Sequence, residues 1–166
     1  MKSQVTYNSP TSFALLQIYL ELMDGNAITY DFFEELTGFS KRVYIEVISL
    51  LKELVDDLHL TCHVQRLEEE IITNKTRYNQ YRYILTSKID YSFILDEDLP
   101  LEKKKLYLPT ILFLKLKNKQ FVTLPELKTF FPEYEKRHFQ MTLTRLEDIL
   151  GEIYKDEYKS YVVEIE

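Results

Sequence analysis

One pattern of residues occurs twice in this chain, and it limits the possible folds more than any other feature. Residues 18–29 and 112–123 match at Ile18/Leu112, Tyr19/Phe113, Leu20/Leu114, Leu22/Leu116, Ala27/Phe121, Ile28/Val122 and Thr29/Thr123, each pair 94 apart. Phe39-Ser40-Lys41-Arg42-Val43-Tyr44 then falls on Tyr134-Glu135-Lys136-Arg137-His138-Phe139 at an offset of 95. The register continues through Ile48/Leu143, Leu51/Leu146, Leu54/Ile149 and Val55/Leu150, so one inserted residue reconciles the halves. A repeat of this length means one supersecondary unit built twice.

Each copy reads as the same series of elements. An apolar stripe at helical spacing predicts a first helix over Ser12–Met23 and again over Pro109–Lys117. A short β-prone step follows, Ala27-Ile28 or Phe121-Val122, ending at a threonine placed to cap the next helix. In the second copy Thr123-Leu124-Pro125-Glu126 has capping-box spacing with an early-turn proline. Short second helices are expected over Tyr30–Leu36 and Leu124–Phe131, then a turn with Gly38 or Pro132, then long third helices over Ser40–Leu58 and Glu135–Leu150.

After each third helix the period becomes alternating. His59–Val64 and Tyr81–Thr86 read as strands around a polar tip, about Glu68 to Gln80. The second copy closes with Glu152-Ile153-Tyr154 and Ser160–Glu164 around Lys155-Asp156-Glu157. The expected fold class is mainly α with small β-hairpins (α+β), as two tandem winged helix-turn-helix domains. The first spans 1–88 with a long wing, the second 106–166, and 89–105 is a linker that Pro100 interrupts and Leu101–Lys105 re-enters as helix.

Residues 15–58 also resemble a known family. Leu15-Leu16-Gln17-Ile18-Tyr19, the Gly25 turn, and Phe39-Ser40-Lys41-Arg42 opening a long helix are similar to winged helix-turn-helix regions of Firmicute transcription regulators. The DeoR/WYL and Mga types are nearest, and Mga-type proteins carry two such modules in tandem. The resemblance implies double-stranded DNA as partner and transcription regulation as function.

In this fold the third helix enters the major groove with its N-terminal residues nearest the bases. Tyr44, Ile48, Leu51 and Val55, like Phe139, Leu143, Leu146 and Leu150, recur at i, i+4, i+7 and i+11 and are expected to face inward. The outward set is then Lys41, Arg42, Ile45, Glu46 and Ser49 in copy one, and Lys136, Arg137, Gln140, Met141, Thr144 and, at the margin, Arg145 in copy two. Arginine pairs with guanine, glutamine with adenine, and threonine or methionine touches a thymine methyl, so the second set is the better reader. In the first wing Lys75, Arg77 and Arg82 suit phosphate or minor-groove contact, although Glu68-Glu69-Glu70 shares that hairpin.

The net charge of −6 excludes a generally basic coat but not a local basic face. Residues 1–98 hold nine Lys/Arg against sixteen Asp/Glu, and residues 99–166 hold twelve against eleven, which places the basic share in copy two. With one cysteine, Cys62, no internal disulfide is expected. No apolar leader or membrane-length stretch is read, so the expected location is cytoplasmic, without membrane contact.

No enzyme and no cofactor are expected. Asp56-Asp57, Glu68-Glu69-Glu70 and Asp96-Glu97-Asp98 lack a paired base, and no Gly-rich phosphate loop occurs among three glycines. His59, Cys62 and His63 are not expected to hold a metal, because on a strand Cys62 would point away from both histidines. Two alternatives stay open. One is a protein-binding winged-helix module acting through the acidic first copy with its Ile45. The other is DNA binding of the plasmid or phage replication-initiator kind. A homodimer would suit symmetric half-sites.

Overall fold

Helix boundaries in the first half follow from side chains that supply the missing partners of helix ends. A computed structural model describes residues 10–75, 77–86, 92–118, 136–150, 153–155 and 161–163. The described residues are mainly helical, with two small antiparallel sheets among them. It divides into two compact units, residues 14–90 and residues 1–13 with 91–166.

Helix α1 (Pro10–Met23) is followed by Gly25, whose φ of 88° is the left-handed conformation that glycine adopts without strain. Ile28 then bonds Tyr83 through both backbone groups, at 2.8 and 2.9 Å. That bridge is what the β-prone Ala27-Ile28 step becomes. Thr29 Oγ1 accepts from the Phe32 amide at 3.2 Å and starts α2 (Tyr30–Thr37). Gly38, with φ 77°, closes α2 by donating to the Glu34 carbonyl. Ser40 Oγ accepts from the Val43 amide and starts α3 (Lys41–Asp57) only three residues after α2 ends.

The buried side of α3 carries Tyr44, Val47, Ile48, Leu51, Leu54 and Val55. Phe33, the one buried residue of α2, lies 5.1 Å from the Tyr44 ring and 6.3 Å from that of Phe39, and Tyr44 meets Tyr83 edge-on. This aromatic cluster ties α2, α3 and the hairpin together.

The hairpin differs from the expected short strands around a long tip. β1 (His63–Ile72) and β2 (Arg77–Thr86) run ten residues each, with only four residues between them in the sequence. Glu68-Glu69-Glu70, read as loop because of its charge, lies within the ladder, since a two-stranded ribbon leaves both faces open to water. At the other end His59, expected to begin a strand, has φ 53° and terminates α3, with the Leu60 amide returning to the Val55 carbonyl. The strand begins four residues later.

In the unit of residues 1–13 and 91–166, α4 (Leu101–Lys117) starts directly after Pro100, and Pro109 lies inside it rather than at its start. An internal proline gives up one helix hydrogen bond. Leu106 to Leu114 are nine consecutive buried residues, so burial on all sides offsets that loss. Helix α5 (Lys136–Leu150) packs against α4, and β3 (Ile153–Lys155) pairs with β4 (Tyr161–Val163). The expected Phe121-Val122 step, the Thr123 cap and the Leu124–Phe131 helix lie outside the described residues.

The Tyr44 hydroxyl is buried and has no hydrogen-bond partner among the described residues. Burial, with the Tyr83 phenol beside it, pushes its pKa well above the ordinary tyrosine value. Replacing Tyr44 by Phe is therefore expected to stabilise the protein by about 1 kcal/mol in a neutral-pH urea melt. Above about pH 10 the unfolded Tyr44 ionises while the folded one keeps its proton, so wild type loses stability that the variant retains. A neutral or destabilising Y44F would show that the hydroxyl is satisfied.

Candidate functional site

Helix α5 presents two different sides. Thr142, Leu143 and Leu146 are buried, while Arg137, Gln140, Met141, Thr144 and Arg145 are exposed. Arg137, Gln140 and Thr144 stand at i, i+3 and i+7, which is one stripe along the helix. From Lys136 through Leu146 the helix contains no acidic residue; Glu147 and Asp148 come next and are exposed. At about 1.5 Å per residue, the acid-free stretch covers roughly the first 15 Å of the helix.

Thr144 and Arg145 make contacts within the chain that bear on what each presents outward. Thr144 Oγ1 donates to the Gln140 carbonyl at 2.8 Å, so outward it offers lone pairs and a methyl group but no proton. The Arg145 guanidinium lies 3.5 Å from the centre of the Phe13 ring. That cation–π contact holds Arg145 against the chain instead of along the Arg137 stripe. The Lys136 backbone opens α5; its side chain lies outside what is described.

On α3 the exposed residues are Lys41, Arg42, Ile45, Glu46 and Ser49. Ile45 is 60% exposed, and Glu46 introduces a carboxylate within the second turn. Both helices expose one large apolar residue, Ile45 or the 56% exposed Met141, but carboxylates enter α3 at its second turn and α5 only at Glu147.

The hairpin cations do not share a face. Arg77 pairs in register with Ile72, and Arg82 with Leu67; five residues apart on one strand, they point to opposite sides. Arg77 Nε stands 3.4 Å from Glu70 Oε1, with both side chains exposed, so part of its charge is offset locally. Lys75 is exposed in the turn, where its amide donates to Thr73 Oγ1. Sequence reasoning missed Arg66, which stacks 4.7 Å from the Tyr81 ring. Its only signal is the strand register, and the expected strand is too short to include that pairing.

A cleft of about 370 Å³ beside α2 is lined by Glu21, Phe32, Glu35 and Leu36. Its carboxylates suit a cationic partner and not a phosphate. Cys62 is buried while His59 and His63 are exposed, and among the described residues no group of three His, Cys, Asp or Glu is placed to hold a metal. No helix of the described residues is long and apolar enough to cross a membrane.

No sequence profile of a known family matches the chain. Among curated proteins it is similar to the histidine–tRNA ligase of Mycoplasma capricolum subsp. capricolum, 29% identical over 101 residues. The match covers 59% of this chain and 23% of that ligase, so the chain spans less than a quarter of the relative's length. No solved structure matches it.

Proposed function

We propose that the chain is a pair of winged helix-turn-helix units that binds double-stranded DNA sequence-specifically, as a non-enzymatic cytoplasmic transcription regulator. One observation carries this reading: the first turns of α5 expose Arg137, Gln140 and Thr144 on one stripe, and no carboxylate intervenes before Glu147.

The chemistry of that stripe fits base edges. Arg137 would donate two hydrogen bonds to guanine O6 and N7, and Gln140 would pair with adenine N6 and N7. Each such pair discriminates by about 1–3 kcal/mol. Thr144 would place its methyl against a thymine methyl. Lys136 at the helix start would neutralise a phosphate, while Lys41, Arg42 and Ser49 on α3 make a second, weaker contact because Glu46 repels the backbone. Lys75 and Arg77 reach phosphates from the end of the hairpin, and Arg82 serves the opposite face.

A gel-shift titration with duplex fragments from upstream of its own coding region tests this. Binding should weaken steeply as salt rises, and excess tRNA should compete poorly. Absence of salt-dependent retardation, or displacement by tRNA at equal concentration, would remove the DNA reading.

A protein-binding role has its own support in the exposed Ile45, Glu46 and the acidic cleft, because an apolar residue amid charges suits an interface core better than a phosphate backbone. Replication-initiator binding would use the same DNA contacts as the main reading.

A further inference from the structure

Among the described residues, the outer edge of β1 has no backbone partner. β1 and β2 pair only with each other, and Ile28 takes the far edge of β2 at Tyr83. An open edge ten residues long is a template for another strand.

Val64, Arg66, Glu68, Glu70 and Ile72 lie on one face of β1. Arg66, Glu68 and Glu70 are exposed, and Ile72 is 65% exposed. Read from its two ends, this series is self-complementary: apolar, basic, acidic, acidic, apolar.

We infer that β1 pairs antiparallel with β1 of a second copy of this chain, about a two-fold axis at Glu68. In that register Val64 faces Ile72 of the second copy and Arg66 faces its Glu70, each twice. Moving the axis to residue 67 would set Val64 against Glu70 and leave Ile72 beyond the ladder. Moving it to residue 69 would set Arg66 against Ile72 and Glu68 against Glu70. Outward backbone groups recur every second residue, so axes between residues put donors and acceptors out of step. Glu70 already meets Arg77 through Oε1, leaving Oε2 for Arg66 of the second copy. The cost of the chosen register is Glu68 facing its own twin. This dimer goes beyond the DNA reading and does not depend on it.

Light scattering and sedimentation of the full chain without DNA test the pairing. Wild type is expected to be a dimer, Arg66→Glu and Glu70→Arg each monomeric, and the double variant a dimer again. Glu68→Gln removes the like-charge pair and should tighten association by roughly two- to fivefold. Glu68→Cys should form an inter-chain disulfide on mild oxidation, because the Cα atoms of a hydrogen-bonded opposed pair stand about 5.5 Å apart, within disulfide range. Wild type, whose Cys62 is buried, should stay unlinked. A wild type monomeric at millimolar concentration, single reversals that leave the dimer intact, or an unlinked E68C would each overturn the pairing. The cross-link decides the matter even where a charge reversal disturbs folding.

Discussion

Replacing Lys136 and Arg137 together by Glu is expected to weaken duplex binding by about 100-fold or more at low salt. Arg137 paired with a guanine is worth about 1–3 kcal/mol, and its loss alone accounts for roughly 5- to 150-fold. Removing the two cations also lowers the salt slope by about one unit for each phosphate no longer neutralised, and the new carboxylates repel the backbone. Both positions lie in the first turn of α5, where acidic side chains interact favourably with the helix dipole, and Arg137 is exposed. A thermal melt of the variant, run beside the binding assay, separates loss of the contact from loss of the fold. Retention of wild-type affinity by a folded variant would end the case for α5. Binding of a protein partner through α3 would survive the same change, which separates the two readings.

Replacing Phe33 by Ala is expected to cost about 3–5 kcal/mol. Phe33 is fully buried, is the one buried residue of an eight-residue helix, and contacts the Phe39 and Tyr44 rings. Without it α2 has little to hold it against α3, and the turn that sets the start of α3 loses its support. Against a total stability of about 5–15 kcal/mol this is a large share. For a chain of this size the midpoint should fall by roughly 10 °C in a thermal melt. Phe33→Leu, which keeps most of the volume, should cost much less. A shift of only a degree or two for F33A would mean that α2 is not anchored through this cluster.

Sequence patterns were most informative where the physics is local. Thr29 caps α2 because its side-chain oxygen reaches an amide three residues on, whatever lies elsewhere in the chain; Ser40, expected as the first residue of the third helix, caps it in the same way. Gly38 stops α2 because only a residue free of Cβ strain adopts its positive φ cheaply. The apolar spacing of α3 likewise assigned Tyr44, Ile48, Leu51 and Val55 to the interior and left Lys41, Arg42, Ile45, Glu46 and Ser49 outside.

Other features depended on partners distant in sequence. Charge in Glu68-Glu69-Glu70 reads as loop, yet each residue has a β2 partner, so the ladder extends through it. Pro109 reads as a helix start, yet surrounding apolar side chains bury α4 on every side and carry the helix past it. Arg145, expected at the margin of the outward set, is exposed and also lies over the Phe13 ring, a contact that chain order does not announce. By itself, then, the sequence determined the Thr29 cap, the inward face of α3 and the polar stripe of α5, each set by interactions within a few turns of chain. Only the tertiary structure decided strand length, the start of α4, which hairpin cations share a face and where Arg145 rests, because burial and cross-strand pairing join residues that chain order keeps far apart.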